Sequence, residues 1–488
     1  MLFNSIEFAV FLPAVFLVYW FCLNKNLNYQ NIFLLLASYF FYGWWDFRFL
    51  ALLSFSSFSD YFLGIAIERA GIARQKKMLL AASLIVNLGI LWFFKYYNFF
   101  IEGFTDAFTF FGVPFSGDRL NIILPLGISF YTFQTMSYSI DIYQGKIKPV
   151  TKIVDFFVFV SFFPQMVAGP IERATNLLPQ FMKPRVFNYT RAMDGMRQIL
   201  WGLFKKVVIA DNCAIYVNDI FSNHTDYNGS TLLLGGCLFA IQIYGDFSGY
   251  SDIAIGVARL FGFSLMRNFA FPYFSRDVSE FWRRWHISLS TWFRDYLYIP
   301  LGGSLGPLSL KIRNVFVIFI VSGIWHGANW TFLVWGILNA LYFLPLLLTS
   351  ANRTHIETVA KGRHLPSLVD FLKILRTFFL TVIAWIFFRA ENISHALDYL
   401  KNMFGNSLFK SPIRDFWSMN TGNHLIWLTV FLVLFMLTEW VQREKNHGLE
   451  FNEDSRLPYL VKWPIYYAIV IACFMMNGVE KDFIYFQF

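Results

Sequence analysis

Residues 314–348 read NVFVIFIVSGIWHGANWTFLVWGILNALYFLPLLL, two apolar runs joined by a short histidine-bearing elbow and containing no Asp, Glu, Lys or Arg. A soluble helix shows charge on its outer face every turn or two. A stretch this long without any is the signature of helices facing lipid. The first run, Asn314 to His326, is short for a crossing and is expected to span only with tilt or local thinning of the bilayer. The second covers about 328–349.

The whole chain has the same character. Of its 488 residues 57% are hydrophobic, 21% aromatic and 15% charged, with 61 Phe, 24 Tyr and 16 Trp. A soluble domain averages about 25% charged, so a cytosolic globular enzyme, a disordered chain and a nucleic-acid binder are all excluded. Lys and Arg exceed Asp and Glu by nine, 40 against 31. In so apolar a chain that surplus belongs to cytoplasmic loops. Four scattered cysteines (Cys22, Cys213, Cys237, Cys473) suggest neither a disulfide framework nor a zinc site, and no metal ligand set is expected.

Further apolar stretches near 7–23, 31–45, 48–67, 78–101, 121–142, 193–210, 231–247, 370–389, 424–441 and 461–479 predict an all-α, polytopic membrane protein with roughly 11–12 crossings. The chain is expected to form one integral-membrane domain over 1–488. No basic leader or Ala-x-Ala site precedes the first run, so no cleavable signal peptide is predicted. Arg69, Arg74, Lys76 and Lys77 place 68–77 inside, which puts Met1 outside. The acidic segment 102–120 and the Lys- and Arg-free segment 213–230 read as outer loops, and the cationic stretch 263–313 as inner. Basic residues on both sides of 153–169 require that piece to re-enter rather than cross, consistent with the helix breakers in FFPQMVAGP.

Two of the eight histidines stand in unusual surroundings. His326 lies in SGIWHGANW (322–330) at membrane depth, where ionisable groups usually mark a functional cavity. On one continuous helix Ser322, Asn329 and Trp330 would share its face, and Gly323 and Gly327 would admit another backbone or a ligand. His286 lies in EFWRRWHISLSTWFRDYLYIP (280–300), a segment that looks amphipathic and interfacial, with Trp282, Arg283 and Ser290 on its helical face. The remaining six (His224, His355, His364, His395, His424, His447) sit in polar loops or at span ends and are expected to be solvated.

Asp246 and Asp252 fall in the membrane stretch YGDFSGYSDIAIG (244–256). Six residues apart, they do not form an acid–base dyad on one face, and pairing with Arg283, Arg284 or Arg294 is expected. Gln134, Tyr138 and Asp141 form a polar stripe at i, i+4, i+7 that lines either a helix contact or a cavity. No GxSxG elbow, P-loop, HExxH, dinucleotide fingerprint or Ser–His–Asp triad is present. No pair of matching broken helices suggests a repeat-built transporter. A catalytic His326 would serve as general base toward a hydroxyl supplied by another molecule.

Seven ordered blocks then carry a resemblance: LPLGISFYTFQTMSYSIDIY (124–143), FFPQMVAGPI (162–171), DFSGYSDIAIG (246–256), FWRRWHISLSTWFRDYLYIPLGG (281–303), SGIWHGANWTFLVWG (322–336), WIFFRA (385–390) and FIYFQF (483–488). Together they resemble the membrane-bound O-acyltransferase family, in the bacterial branch of the alginate O-acetyltransferase membrane subunit, with core motifs over about 121–390. The resemblance implies a ring of tilted helices around a thinned centre crossed by a tunnel, in the bacterial cytoplasmic membrane. It implies His326 as the catalytic histidine and His286 as the second active-site residue. Gln134, Tyr138, Asp246, Asp252, Arg283, Arg284, Ser290, Ser322, Asn329 and Trp330 are the candidates to bind substrate or line the tunnel. The activity implied is transfer of acetyl from a cytoplasmic thioester, acetyl-CoA as donor substrate with no permanently bound cofactor, toward an extracytoplasmic acceptor for polysaccharide O-acetylation. D-alanyl or other acyl transfer, or a flippase without covalent chemistry, are the alternatives. Expected partners are membrane lipid, the thioester donor and an extracytoplasmic acetyltransferase or small carrier protein, but no nucleic acid. Such a partner would dock on 102–120, 213–230, 390–423 and the terminal aromatics Phe483, Tyr485, Phe486 and Phe488.

Overall fold

The computed structural model describes residues 1–110, 119–167, 169–419, 422–451 and 459–477. Among these every regular element is helical. By internal contacts the chain forms two compact units, Met1–Gly195 with Val257–Met266, and Met196–Gly256 with Arg267–Phe488.

The first stretch of chain carries α1 (Ile6–Leu17), α2 (Leu27–Gly43), α3 (Phe49–Arg69), α4 (Ala73–Phe110) and α5 (Ile128–Tyr143). Three short helices follow, α6 (Ile153–Ser161), α7 (Phe163–Met166) and α8 (Ala174–Phe181), and then α9 (Tyr189–Leu203). Beyond a π-helical turn at Phe204–Ala210 come α10 (Asp211–Ser222), α11 (Gly229–Leu260), α12 (Val278–Arg284) and α13 (Ile287–Phe293). The last described elements are α14 (Leu308–His326), α15 (Trp330–Leu348), α16 (Leu368–Arg389), α17 (Ile393–Met403), α18 (Ile413–Ser418), α19 (His424–Val441) and α20 (Tyr459–Met475).

Among the described residues seven helices, α3, α4, α11, α14, α15, α16 and α19, are long and apolar enough to cross a bilayer, and Ile6–Cys22, Ile153–Met166 and Leu460–Met475 are shorter apolar helices. This is fewer than the expected dozen, and the difference lies in five segments. Those expected at 7–23 and 461–479 are the shorter apolar helices Ile6–Cys22 and Leu460–Met475, and three more do not form long apolar helices. The expected spans at 31–45, 121–142 and 193–210 became α2, α5 and α9; α2 buries Leu34, Phe41 and Tyr42 but leaves Leu36 and Phe40 exposed, while α5 serves the protein interior. In α5 all sixteen residues but Ile140 and Tyr143 are buried. The run ending at His326 departs in the other direction. Its helix starts at Leu308, after Pro307 at the N-cap position, and reaches 19 residues. Lys311 and Arg313 belong to that helix, where long cationic side chains can reach the interface.

The break at Phe162 divides 153–166 into helices of nine and four residues, too short to cross at about 20 residues per span. The expected outer loop 213–230 is instead largely helix α10, since α9 continues through the π turn into it. A lack of Lys and Arg marks a side of the membrane, not a loop.

In the first unit the polar stripe of α5 makes helix contacts. Gln134 Nε2 donates to Phe159 O on α6 at 2.7 Å and its Oε1 accepts from Gln165 at 2.7 Å. Tyr138 OH accepts from Val150 N at 3.2 Å and its ring lies 4.5 Å from Phe156. Asp141 pairs with Lys146 at 3.4 Å. The buried Asp60 of α3, which stood out by no spacing, accepts from Ser83 (2.5 Å), Asn87 (2.7 Å) and Ser139 (3.0 Å), as a carboxylate inside a bundle must.

Candidate active site

The second unit gathers both singled-out histidines around one indole. The His326 ring centroid lies 4.9 Å from that of Trp325, and the His286 centroid 6.1 Å from the same Trp325. Both side chains are buried, His326 4% and His286 1% exposed.

His326 is the last residue of α14, and Gly327 continues extended at φ −174°. The helix stops there because α15 packs directly against it. A Cβ on Gly323 would overlap the Phe332 carbonyl oxygen, and one on Gly336 the Phe319 carbonyl oxygen. The two glycines therefore let the α14 and α15 backbones touch, while Gly327 gives room to the Phe332 ring. What approaches these glycines is the neighbouring helix. Trp335 of α15 meets the His326 ring edge-on at 5.0 Å, and Phe388 of α16 at 5.2 Å. Trp385, three residues before Phe388 and on the same helical face, stacks on Trp335 at 5.9 Å and touches Trp285 at 5.1 Å. The block WIFFRA thus supplies two walls of an aromatic enclosure. Aromatic rings exclude water and hold an imidazole rigidly in place.

Asn329 and Trp330 do not share the His326 face, because the helix has ended. Asn329 instead caps α15, accepting from Thr331 N at 3.0 Å and donating to Glu391 O at 2.7 Å, the standard service of Asn at that position. Trp330 is 57% exposed. Ser322, four residues before His326, is buried on the same helix.

His286 does not lie on a continuous amphipathic helix either. It stands between α12 and α13 with φ 42° and ψ 55°, a left-handed conformation that costs a non-glycine residue on the order of 1–3 kcal/mol and persists only where surroundings enforce it. The enforcing contacts run to segment 268–270: Ile287 N donates to Asn268 O at 2.8 Å and Ala270 N to Arg284 O at 2.9 Å. The break corrects the expected face of Trp282, Arg283 and Ser290. Ser290 Oγ donates to Trp285 O at 3.3 Å, and Trp282 Nε1 to Asn339 Oδ1 at 3.2 Å. Arg283 holds the Asn352 and His355 carbonyls, at 3.0 and 2.7 Å. Arg284 and Arg276 both clasp the buried Glu280, at 2.9 and 3.0 Å. These groups anchor the segment that carries His286.

The His286 side chain has its own clasp. Nδ1 lies 3.1 Å from Asn268 Oδ1, and the Phe247 ring meets it edge-on at 4.6 Å and 88°. Burial lowers its pKa to about 3, so the ring is neutral at physiological pH.

The helix α11 shows why Asp246 and Asp252 misdirect. Phe247 and Ser251, at i and i+4, face the His286 clasp, Ser251 Oγ accepting from Asn268 Nδ2 at 3.1 Å. The two aspartates do not pair with Arg283, Arg284 or Arg294. Asp252 binds Lys205 at 2.5 Å, and Lys206 bridges Asp246 and Asp211, each at 2.8 Å; Arg294 pairs with its neighbour Asp295. Both lysines stand in the π turn and are buried. Such turns insert an extra residue and re-aim side chains, and helical periodicity could not foresee two adjacent lysines turned inward together.

The expectation of solvated surface for the other six histidines holds at the exposed His364 and needs correction at His447, His424, His224 and His395. His447 is 1% exposed. His424 contacts Asn212 and Tyr216 at 2.7 and 3.0 Å, and His224 stacks on His395 at 4.6 Å. Among the described residues no group of three or more His, Cys, Asp or Glu is placed to hold a metal ion. The terminal aromatics Phe483–Phe488 and residues 111–118 lie outside the described residues.

With this geometry in place the comparisons with known proteins are decisive. The model of the membrane-bound O-acyltransferase family matches residues 144–389, about half of the chain, and spans α11 through α16, which hold both histidines. This chain belongs to the membrane-bound O-acyltransferase family. It is 39% identical to the probable alginate O-acetylase of Pseudomonas aeruginosa over 83% of this chain and 75% of that one. The same-named protein of Pseudomonas syringae pv. tomato is 38% identical over 93% of this chain and 86% of its own. The peptidoglycan O-acetyltransferase of Helicobacter pylori is 36% identical over 83% and 80%. The chain is thus a multi-pass membrane acyltransferase, and the all-helical fold expected from its composition is the one observed.

Proposed function

We propose that this acyltransferase moves an acetyl group from a cytoplasmic acetyl thioester, acetyl-CoA as donor, toward an extracytoplasmic acceptor that serves O-acetylation of a cell-envelope polysaccharide, in the bacterial inner membrane. The observation that carries the reading is His326, a buried imidazole at the end of a membrane helix, walled by Trp325, Trp335 and Phe388. His326 acts as general base: it takes the proton of the acceptor hydroxyl as that oxygen attacks the thioester carbonyl. The C–S bond breaks, and the proton passes to the departing thiolate, leaving ester and free thiol. His286 is the second active-site residue. The named activities of the P. aeruginosa and H. pylori relatives, on alginate and on peptidoglycan, support an envelope glycan as the final acceptor. A flippase without covalent chemistry is a different class from the family this chain belongs to. A D-alanyl or other acyl group in place of acetyl is distinguished by the donor.

The chain's described extramembrane segments offer no separate domain for a polysaccharide, so an extracytoplasmic acetyltransferase or small carrier protein is proposed to receive the group. Proteoliposomes supplied with acetyl-labelled CoA on one face at a time test the reading. Label should reach the acceptor only when donor is on the face carrying Arg74 and Lys311. Transfer from the opposite face, or from a D-alanyl thioester only, would contradict it.

A further inference from the structure

We infer that Asn268 is a positioning residue that fixes His286 in the tautomer with its proton on Nδ1, so that the ring meets substrate as a hydrogen-bond acceptor at Nε2. The inference rests on the reading of His286 as an active-site residue and deepens it to the atom that acts.

The argument is one of donors and acceptors. Ser288 N lies 3.3 Å from Asn268 Oδ1, and a backbone N–H can only donate, so the facing amide atom is the oxygen. Ser288 Oγ also donates to it, at 2.9 Å. The other end of the amide, Nδ2, donates to Ser251 Oγ at 3.1 Å. The oxygen end of Asn268 is therefore specified by the Ser288 N–H, which fixes the orientation of the amide, and the Ser251 hydroxyl accepts from the other end. An amide oxygen has no proton to give. His286 Nδ1, 3.1 Å away, must supply the proton of that bond. Ser288 Oγ, 3.4 Å from Nδ1, has already committed its hydrogen to Asn268 and turns a lone pair toward the ring. Burial keeps the ring uncharged, and a neutral imidazole protonated at Nδ1 carries a lone pair at Nε2.

The clasp is rigid on both sides. Asn268 is fully buried and its own backbone oxygen takes the Ile287 N–H at 2.8 Å. The left-handed turn at His286 and the Phe247 edge fix where the ring points.

The consequence is chemical. An Nε2 lone pair accepts from a hydroxyl or a thiol. It has no proton to donate to a thioester carbonyl. His286 therefore orients the hydroxyl of the acceptor or the thiol of the departing carrier, and polarising the thioester carbonyl falls to another group.

Four variants and one spectroscopic measurement on the full-length protein in lipid nanodiscs decide this. Asn268→Ala should lower kcat on the order of 10–100-fold, by analogy with the loss of the outer hydrogen-bond partner of a metal-bound histidine, with KM little changed. Asn268→Asp keeps the acceptor oxygen and should recover most of kcat. Its carboxylate favours the imidazolium, so its acid limb should move to higher pH, a displacement that a merely structural role would not produce. His286→Ala is measured alongside. If it retains full activity, the reading of His286 fails whatever Asn268 does. If His286→Ala is inactive while Asn268→Ala is fully active, or Asn268→Asp is no better than Asn268→Ala and its acid limb is unmoved, the positioning role alone is overturned. Histidine-selective 15N NMR of the unaltered protein needs no folded Asn268 variant. The resonance pair absent from His286→Asn should show a protonated Nδ1 and a bare Nε2 from about pH 5 to 8; a protonated Nε2 would overturn the inference.

Discussion

His286 and His326 are held by different means, and their substitutions should fail differently. His286 hangs on a hydrogen bond to Asn268 and a strained backbone, whereas His326 is placed by a helix end and three rings. An amide oxygen can imitate an accepting Nε2, so His286→Asn should retain more acyl transfer than His286→Ala when the two are assayed side by side; equal and complete retention in both would return His286 to a packing role. The folded pKa of His286, about 3, lies below the usual value near ~6.5. Its contribution to stability is complete above the unfolded pKa and declines as pH falls from there toward 3, because the unfolded chain takes the proton first. Through neutral pH the group does not titrate. Any limb near neutrality in the pH profile of kcat/KM should therefore persist in His286→Asn, and its disappearance there would contradict the assignment. Lys206 is the corresponding stability residue. Its removal as Lys206→Met leaves Asp246 and Asp211 facing each other without their cation, and breaking such a buried pair costs about 3–5 kcal/mol. Thermal unfolding in detergent should show a markedly lower midpoint; an unchanged one would mean the lysine is replaceable there.

Helices α14 and α15 decide whether the enclosure exists. Their backbones meet at Gly323 and Gly336 with no space for a Cβ, so Gly323→Val must push α15 away and with it Trp335, a wall of the His326 site. Overpacking of this sort costs about 1–3 kcal/mol, and acyl transfer should fall more than folded yield does; wild-type turnover in Gly323→Val would show that Trp335 need not sit where it does. The long apolar elements were legible in the sequence to within a few residues, as at 370–389 for Leu368–Arg389 and 424–441 for His424–Val441. Continuous hydrophobicity needs no knowledge of neighbours. The start of α14 was missed because Lys311 and Arg313 read as loop, and α5 read as a span because apolar side chains look the same facing protein or lipid. The site was legible only as two histidines. Asn268, Ser288 and the walls Trp385 and Phe388 come from separate elements, and no spacing relates 268 to 286 once the helix breaks between Arg284 and Ile287. The one signal that could have found Phe247 and Ser251 was their i, i+4 spacing on α11, which the more conspicuous aspartates beside them hid.

For the chain as a whole, we propose that charge sets direction across the membrane. The excess of positive residues at 68–77, with Arg69 at the end of α3 and Arg74, Lys76 and Lys77 in the first turns of α4, and in 263–313 predicts that both lie inside. Cysteines introduced at Arg74 and Lys311 should react with an impermeant thiol reagent only in inverted vesicles; labelling of either in intact cells would reverse the map and with it the side from which donor is drawn. The central claim, that His326 is the base of an acyl transfer, is tested most directly by thioester turnover with the purified full-length protein and His326→Ala, each first shown to insert and elute as the folded species. General-base removal predicts a loss of about 10²–10⁴ in rate with folding intact. Turnover in His326→Ala equal to that of the unaltered protein would contradict the account.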